Sequence, residues 1–183
     1  MNLAVPVTKQ ETPDSCGVAA LLAVLRYWLG PDAPVEEGDL YDGLEFDPKV
    51  GAEPRKMAAT AKAFGLTVGV VTGASVPQVA TAVAGGSTVI LQLQAWSKND
   101  DVDYDEEWSS GHYVVAVGVR KKGLVVMDPA VDDSYLSLSF VDLKDRWHGY
   151  DGKKRASGIA IFVSSKGDPQ GEEPGWSVGG PLP

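Results

Sequence analysis

Gln10-Glu11-Thr12-Pro13-Asp14-Ser15-Cys16-Gly17 runs directly into Val18-Ala19-Ala20-Leu21-Leu22-Ala23-Val24-Leu25-Arg26-Tyr27-Trp28-Leu29. A polar, turn-prone segment thus becomes a long apolar run at the only cysteine of the chain. Asp14 and Ser15 are good residues for a helix start, because a short side-chain oxygen can accept one of the unpaired N–H groups there. The run carries a single charge, Arg26, and is apolar nearly all the way round. Such a helix belongs in the middle of a domain. Cys16 is therefore expected in its first turn, with the sulfur at the N-terminal end, where the aligned peptide dipoles favour thiolate over thiol. Gly17 leaves the backbone beside the sulfur uncovered, so another chain could approach closely. The competing reading is a small buried thiol with no chemistry. Against it, packing at that position would prefer Ala or Leu.

A chain of 183 residues is long enough for one domain with a real core and no cross-links. One cysteine excludes an internal disulfide, and a working thiolate would prefer a reducing compartment. No basic start followed by an apolar run precedes Cys16, so no secretory signal is visible and a cytoplasmic location is expected. No apolar stretch reaches membrane-spanning length. The formal charge of −9 argues against nucleic acid as a partner, because phosphate binding needs basic patches.

Around this core the chain reads as alternating short elements. Residues 1–9 form an extended lead-in, and the Cys16 helix stops by Gly30-Pro31. A short helix is expected over residues 35–44 and a second over 53–64, with Met57, Ala61 and Phe64 on one stripe. Residues 66–72 read as a strand, 76–84 as a helix and 88–96 as a strong strand. Residues 112–119 and 124–127 make a β-hairpin, residues 135–138 a short strand, 139–147 a helix and 158–163 the last strand. Residues 1–163 are thus the expected domain. Residues 164–183, rich in Gly, Pro and charge, are an expected loose tail, and Pro181 argues against cleavage after its Gly179-Gly180.

Between the strong strand and the hairpin lies an acidic loop, residues 97–110. Asp100, Asp101, Asp103, Asp105, Glu106 and Glu107 stand there against one basic residue, Lys98. The spacing imitates a calcium loop but lacks the glycine at its sixth position and the bidentate Glu at its twelfth. A solvated loop is the favoured reading, and no metal or cofactor is expected. Because the loop leads into His112, it should border any groove there, with Trp108 as a candidate wall. Gly17, Trp108 and Gly111 are the candidate substrate-binding residues.

A base for Cys16 must be one of two histidines. His148 lies in a loop with no partner signal. His112 opens a strand straight after Gly111, at a sheet rim, and Asp128 ends the return strand, held extended by Pro129. A hairpin turning about Arg120 sets residues 112 and 128 directly opposite, and one turning about Lys122 keeps them on one face but further apart. A turn centred between residues would put them on opposite faces. Each alone reads as local structure, a capping histidine and an Asp-Pro turn. With Cys16 they form the nucleophile, base and orienter that thiol catalysis needs.

At this point the chain resembles the C39-like peptidases of the papain-like superfamily, which include the bacteriocin-leader-processing peptidases and their stand-alone relatives. The likeness rests on Gln10 and Cys16-Gly17-Val18-Ala19-Ala20-Leu21, on Gly111-His112-Tyr113-Val114-Val115-Ala116-Val117-Gly118, and on Val125-Val126-Met127-Asp128-Pro129-Ala130. It implies an α+β fold with the nucleophile helix packed on an antiparallel sheet. It also implies Cys16 as nucleophile, His112 as general base and then acid, Asp128 as its orienter, and Gln10 lending its amide to the oxyanion hole. The implied activity is a thiol-dependent peptidase acting on a peptide or protein. The alternatives are a silent peptide- or partner-binding domain and an amide or acyl transferase on the same fold. Ser15 stands where the leader peptidases usually carry Asp, and Val18 where the stand-alone relatives often have Pro; neither change removes a catalytic group.

Overall fold

The computed structural model describes residues 2–30, 32–95, 97, 101–132 and 134–165. Its organising element is the helix α1, Cys16–Leu29, of which residues 16–25 are all buried. Alanine and leucine are strong helix formers, and Ala19, Ala20 and Ala23 let neighbouring backbone approach closely. Gly30, at φ +104°, ends the helix in a conformation other residues avoid. Ser15 occupies the capping position but does not cap. Its Oγ turns back to the Thr12 carbonyl at 3.2 Å and the Thr12 N–H at 3.0 Å. The sequence expectation is corrected there: Ser15 lies outside the extended region that aims a capping oxygen at the helix, at φ −92° and ψ 17°.

Two helices follow on the same side, α2 (Glu37–Leu44) and α3 (Pro54–Ala63), with Pro54 at the helix start where its missing N–H costs nothing. Then come β1 (Thr67–Val71), α4 (Val76–Ala84), β2 (Thr88–Gln94), β3 (Gly111–Arg120), β4 (Gly123–Met127), β5 (Tyr135–Ser139), α5 (Phe140–Arg146), β6 (His148–Asp151), β7 (Lys154–Ser157) and β8 (Ala160–Ser164). Six strands form one antiparallel sheet in the order β1-β8-β2-β3-β4-β5. The fold is α+β, as expected from the sequence.

Strand alternation splits the core into two layers. Ile90, Tyr113, Val115, Val117 and Ile161 face α1 and its neighbours. Leu91, Leu93, Val114, Ala116 and Phe162 face the opposite way, against Val79 and Val83 of α4 and Leu143 of α5. Each fully buried Leu or Ile contributes about 1.5–3 kcal/mol, so α1 and the central strands dominate stability.

Two features depart from the expected chain. Residues 148–151 are not a loop but β6, paired with β7 in a separate two-stranded hairpin turning at Gly152, φ +61°. The hairpin has no apolar alternation of its own and is held by glutamine amides of β2. Gln94 Nε2 donates to the His148 carbonyl at 3.2 Å, and Gln92 Oε1 accepts from the Tyr150 N–H at 3.1 Å. The β3–β4 hairpin carries the second departure. Arg120 pairs with Gly123 across a two-residue turn, and the register then slips by one residue between Ala116 and Gly118. Val117 is the extra residue of this β-bulge, and its carbonyl accepts the Leu3 N–H at 2.7 Å. The lead-in is therefore laid along the bulge, with Asn2 bridging to Gly118. The tail and its Gly179-Gly180 lie outside the described residues.

Candidate active site

Cys16, at the first position of α1, and His112, near the start of β3, line one groove of about 710 Å³. His112 is buried, and its Nε2 lies 2.7 Å from Oδ1 of the equally buried Asp128. That contact assigns the proton to Nε2 and leaves Nδ1 for Cys16. Burial alone pulls the His112 pKa down. The hydrogen bond to Asp128, with the hydrogen bond and charge of Cys16, outweighs it and raises the value to about 9. The protonated form of His112 is thus favoured, with the Asp128 carboxylate on one side and the Cys16 sulfur on the other. Asp128 Oδ1 also accepts the Ala130 N–H at 2.8 Å, which fixes the carboxylate against the turn that follows β4.

The register explains how these residues meet. Continued regularly from the two-residue turn, the ladder would set Asp128 opposite Val115, on the α1 side. This is the arrangement in which the pair should fail. The bulge at Val117 shifts the ladder by one, so that beyond it Val115 pairs with Met127 and Ala116 with Val126. Asp128 then falls opposite Val114, on the face of His112 and one diagonal from it, within reach of a long side chain.

Gln10 enters the same groove. Its backbone N–H donates to the Pro129 carbonyl at 3.0 Å, tying the segment before Cys16 to the one after Asp128. Its Nε2 donates to the Thr12 and Pro13 carbonyls at 2.8 and 2.9 Å, while its buried Oε1 has no partner. Glu37, wholly buried on α2, accepts the Glu11 N–H at 2.8 Å and anchors this turn from below.

The description Peptidase_C39 like family matches residues 2–154. The chain belongs to that family. Solved structures with the same fold include a candidate C39-like peptidase from Bacillus anthracis. It is 16% identical with a TM-score of 0.64, over 89% of this chain and 96% of that one. The peptidase domain of Streptococcus ComA, a bi-functional ABC transporter involved in quorum sensing, is 16% identical with a TM-score of 0.62, over 88% and 99%. A double glycine motif protease from an AMS/PCAT transporter, solved in complex with its leader peptide, is 17% identical with a TM-score of 0.60, over 90% and 94%. No curated protein matches the sequence.

The remaining expectations for this C39-like chain divide. Trp108 and Gly111 line the groove, with Ser109 and Ser110. Gly17 does not. A side chain there would meet Ala52 Cβ at 2.8 Å and the Tyr113 ring at 3.0 Å, so the bare backbone admits the protein's own core, not a visiting chain. His148 is no isolated loop residue. It is buried, its Nε2 donates to the Glu107 carbonyl at 2.6 Å, and its ring lies 4.4 Å from that of Trp108. Trp108 also carries Arg155 over its ring at 4.5 Å. The acidic loop is therefore docked on the β6–β7 hairpin through Trp108, and its described carboxylates do not line the groove. Lys98, Asn99 and Asp100 lie outside the described residues. Among those described, no group of three His, Cys, Asp or Glu is placed to hold a metal ion. No described helix is long and apolar enough to cross a membrane.

Sequence reasoning missed the opposite wall, residues 48–54, and the floor. The floor is a chain of hydrogen bonds. The Tyr150 N–H donates to Gln92 Oε1, Gln92 Nε2 to the Tyr113 hydroxyl at 2.9 Å, and that hydroxyl to the Ala52 carbonyl at 2.7 Å. All four residues line the groove. The one available signal was the pair of amides, Gln92 and Gln94, inside an otherwise apolar strand.

Proposed function

We infer that this chain is a cysteine peptidase that opens amide bonds through an acyl-enzyme on Cys16. The observation carrying the reading is His112, held at 2.7 Å by Asp128, raised to a pKa of about 9 and shared with Cys16 in the wall of an open groove. The Cys16 sulfur attacks the carbonyl carbon. The oxyanion is met by the Cys16 N–H and by Gln10, whose Nε2 exchanges a carbonyl of its own turn for it. His112 gives its proton to the leaving amine, and a thioester remains. Neutral His112 then takes a proton from water, the hydroxide adds, and Cys16 leaves as thiolate. Asp128 keeps the ring oriented and offsets its charge. A peptide substrate suits a groove of this size, and the leader-peptide complex of the AMS/PCAT relative supports it.

The test is alkylation by iodoacetamide together with cleavage of a peptide mixture. Rapid alkylation well below pH 8, lost in His112→Ala but kept in His148→Ala, with cleavage lost in Cys16→Ala, is the expected result. Slow alkylation with no cleavage sinks the reading and leaves a silent binding domain.

A further inference from the structure

A fully buried carboxylate is costly to desolvate, and a neutral side chain of similar volume often packs as well in its place. Glu37, in the first turn of α2, is 0% exposed. Its Oε2 accepts the Glu11 N–H at 2.8 Å, while its Oε1 is buried without a hydrogen-bond partner. Among the described residues only four side-chain atoms are in that state, on Asn2, Gln10, Glu37 and Thr60. Two of the four thus belong to Glu37 and to the residue just before its partner. The unpaired acceptors gather at the turn that leads into Cys16, and such groups call for a reason beyond stability.

What Glu37 holds is the backbone of Gln10. The Cα of Gln10 stands between two N–H groups, its own and that of Glu11. The first donates to the Pro129 carbonyl at 3.0 Å and the second to Glu37. Fixing both peptide planes fixes the two soft dihedrals of Gln10, and with them the direction in which its side chain leaves the chain. Residues 10–15 belong to no helix or strand, so these two bonds stand in for a ladder, and only the second is made by a side chain. Glu37 itself has a firm base. The Glu36 N–H donates to Asp39 Oδ2 at 2.9 Å, and Arg26 of α1 donates to Glu36 Oε2 at 2.8 Å and to the Val35 carbonyl at 3.0 Å. A carboxylate accepts an N–H more strongly than a neutral amide does, and the first turn of a helix favours its charge. The demand on this backbone is particular: the Gln10 amide has to leave a carbonyl of its own turn while its Cα stays in place.

We propose that Glu37 is a positioning residue for the oxyanion hole, holding the Gln10 backbone through the Glu11 N–H so that the Gln10 amide meets the oxyanion formed at Cys16. This deepens the function proposed above and rests on the role given there to Gln10. Two reagents separate the oxyanion hole from the thiolate. The ester p-nitrophenyl acetate acylates Cys16 through a tetrahedral oxyanion and releases p-nitrophenolate, whereas iodoacetamide alkylates the sulfur by loss of iodide, with no oxyanion. Glu37→Met keeps the volume and removes the acceptor. It should slow acylation about tenfold, and alkylation at the same pH by less than about twofold. Glu37→Gln, which can still accept the Glu11 N–H, should recover acylation to within about threefold of the unaltered protein. In a Gln10→Ala protein the further Glu37→Met change should slow acylation by less than about twofold, because no amide is left to position. Absent acylation of the unaltered protein, an unchanged rate in Glu37→Met, a fall of both rates together, or a Glu37→Met effect that persists in full without Gln10 overturns the proposal. The expected pattern of acylation with no cleavage of any peptide would defeat the peptidase reading alone.

Discussion

Asp128 reaches His112 along a diagonal of the β3–β4 ladder, Oδ1 to Nε2 at 2.7 Å, and the diagonal exists because Val117 is unpaired. The pairs on either side of the bulge, Ala116 with Val126 and Gly118 with Val125, would close into a regular ladder without it. Deleting Val117 should therefore keep His112 and Asp128 on one face. The deletion forfeits one fully buried Val, so stability falls by about 2–3 kcal/mol while Cys16 alkylation at pH 6.5 changes little. Inserting Ala between Val114 and Val115 turns His112 to the other face and should slow alkylation on the order of tenfold. Equal rates for both variants would show that the register does not govern the pair.

Asp128 answers two donors at once, His112 Nε2 and the Ala130 N–H. Asp128→Ala leaves both without an acceptor in a buried place. It should cost on the order of 3 kcal/mol in denaturant unfolding, and slow peptide cleavage by two orders of magnitude or more, about the scale of a lost orienter. A loss of stability with unchanged cleavage would reduce Asp128 to a structural residue.

The pH dependence of stability follows from the raised His112 pKa. A folded value of about 9 against 6.5 for the free side chain means that the native state holds the proton more tightly. The stabilisation is complete below pH 6.5 and is lost as pH rises through about 9, on the order of 3 kcal/mol at most. Wild-type unfolding free energy should thus fall across that window relative to His112→Gln. Parallel curves for the two proteins would contradict the ion-paired histidine.

Gly17 distinguishes packing from substrate contact. Gly17→Ala puts a methyl group against Ala52 and Tyr113, and should destabilise by about 1–3 kcal/mol through overpacking. Thermal unfolding reads this directly. If stability is unchanged and only peptide binding weakens, Gly17 faces the groove after all.

The residues legible in the sequence were those with few rivals. One cysteine at a polar-to-apolar junction marked the start of α1, and two histidines left few candidates for the ring that meets Cys16. The long helix, the strands β2, β3 and β4, and the helix over residues 76–84 followed from local pattern. What stayed hidden depends on contacts between distant segments. Four-residue β6 shows no alternation of its own, and Gln92 and Gln94 of β2, from more than fifty positions away, hydrogen-bond its backbone. The one-residue slip at Val117 is met by a lead-in segment more than a hundred positions away in sequence, through the Leu3 N–H. Gly17 looked open because nothing near it in sequence announces Ala52 or Tyr113.

The hydrogen bonds across the groove floor run in one direction only. The Tyr150 N–H can only donate, so Gln92 must offer its oxygen there and its nitrogen to Tyr113. The single hydroxyl proton of Tyr113 is then committed to Ala52. Burial, with the charge of Cys16 next, pushes the pKa of that phenol well above its ordinary value. Tyr113 sits beside Cys16 and is nevertheless spoken for, so its proton is not free for a group in the groove. The floor is insulation.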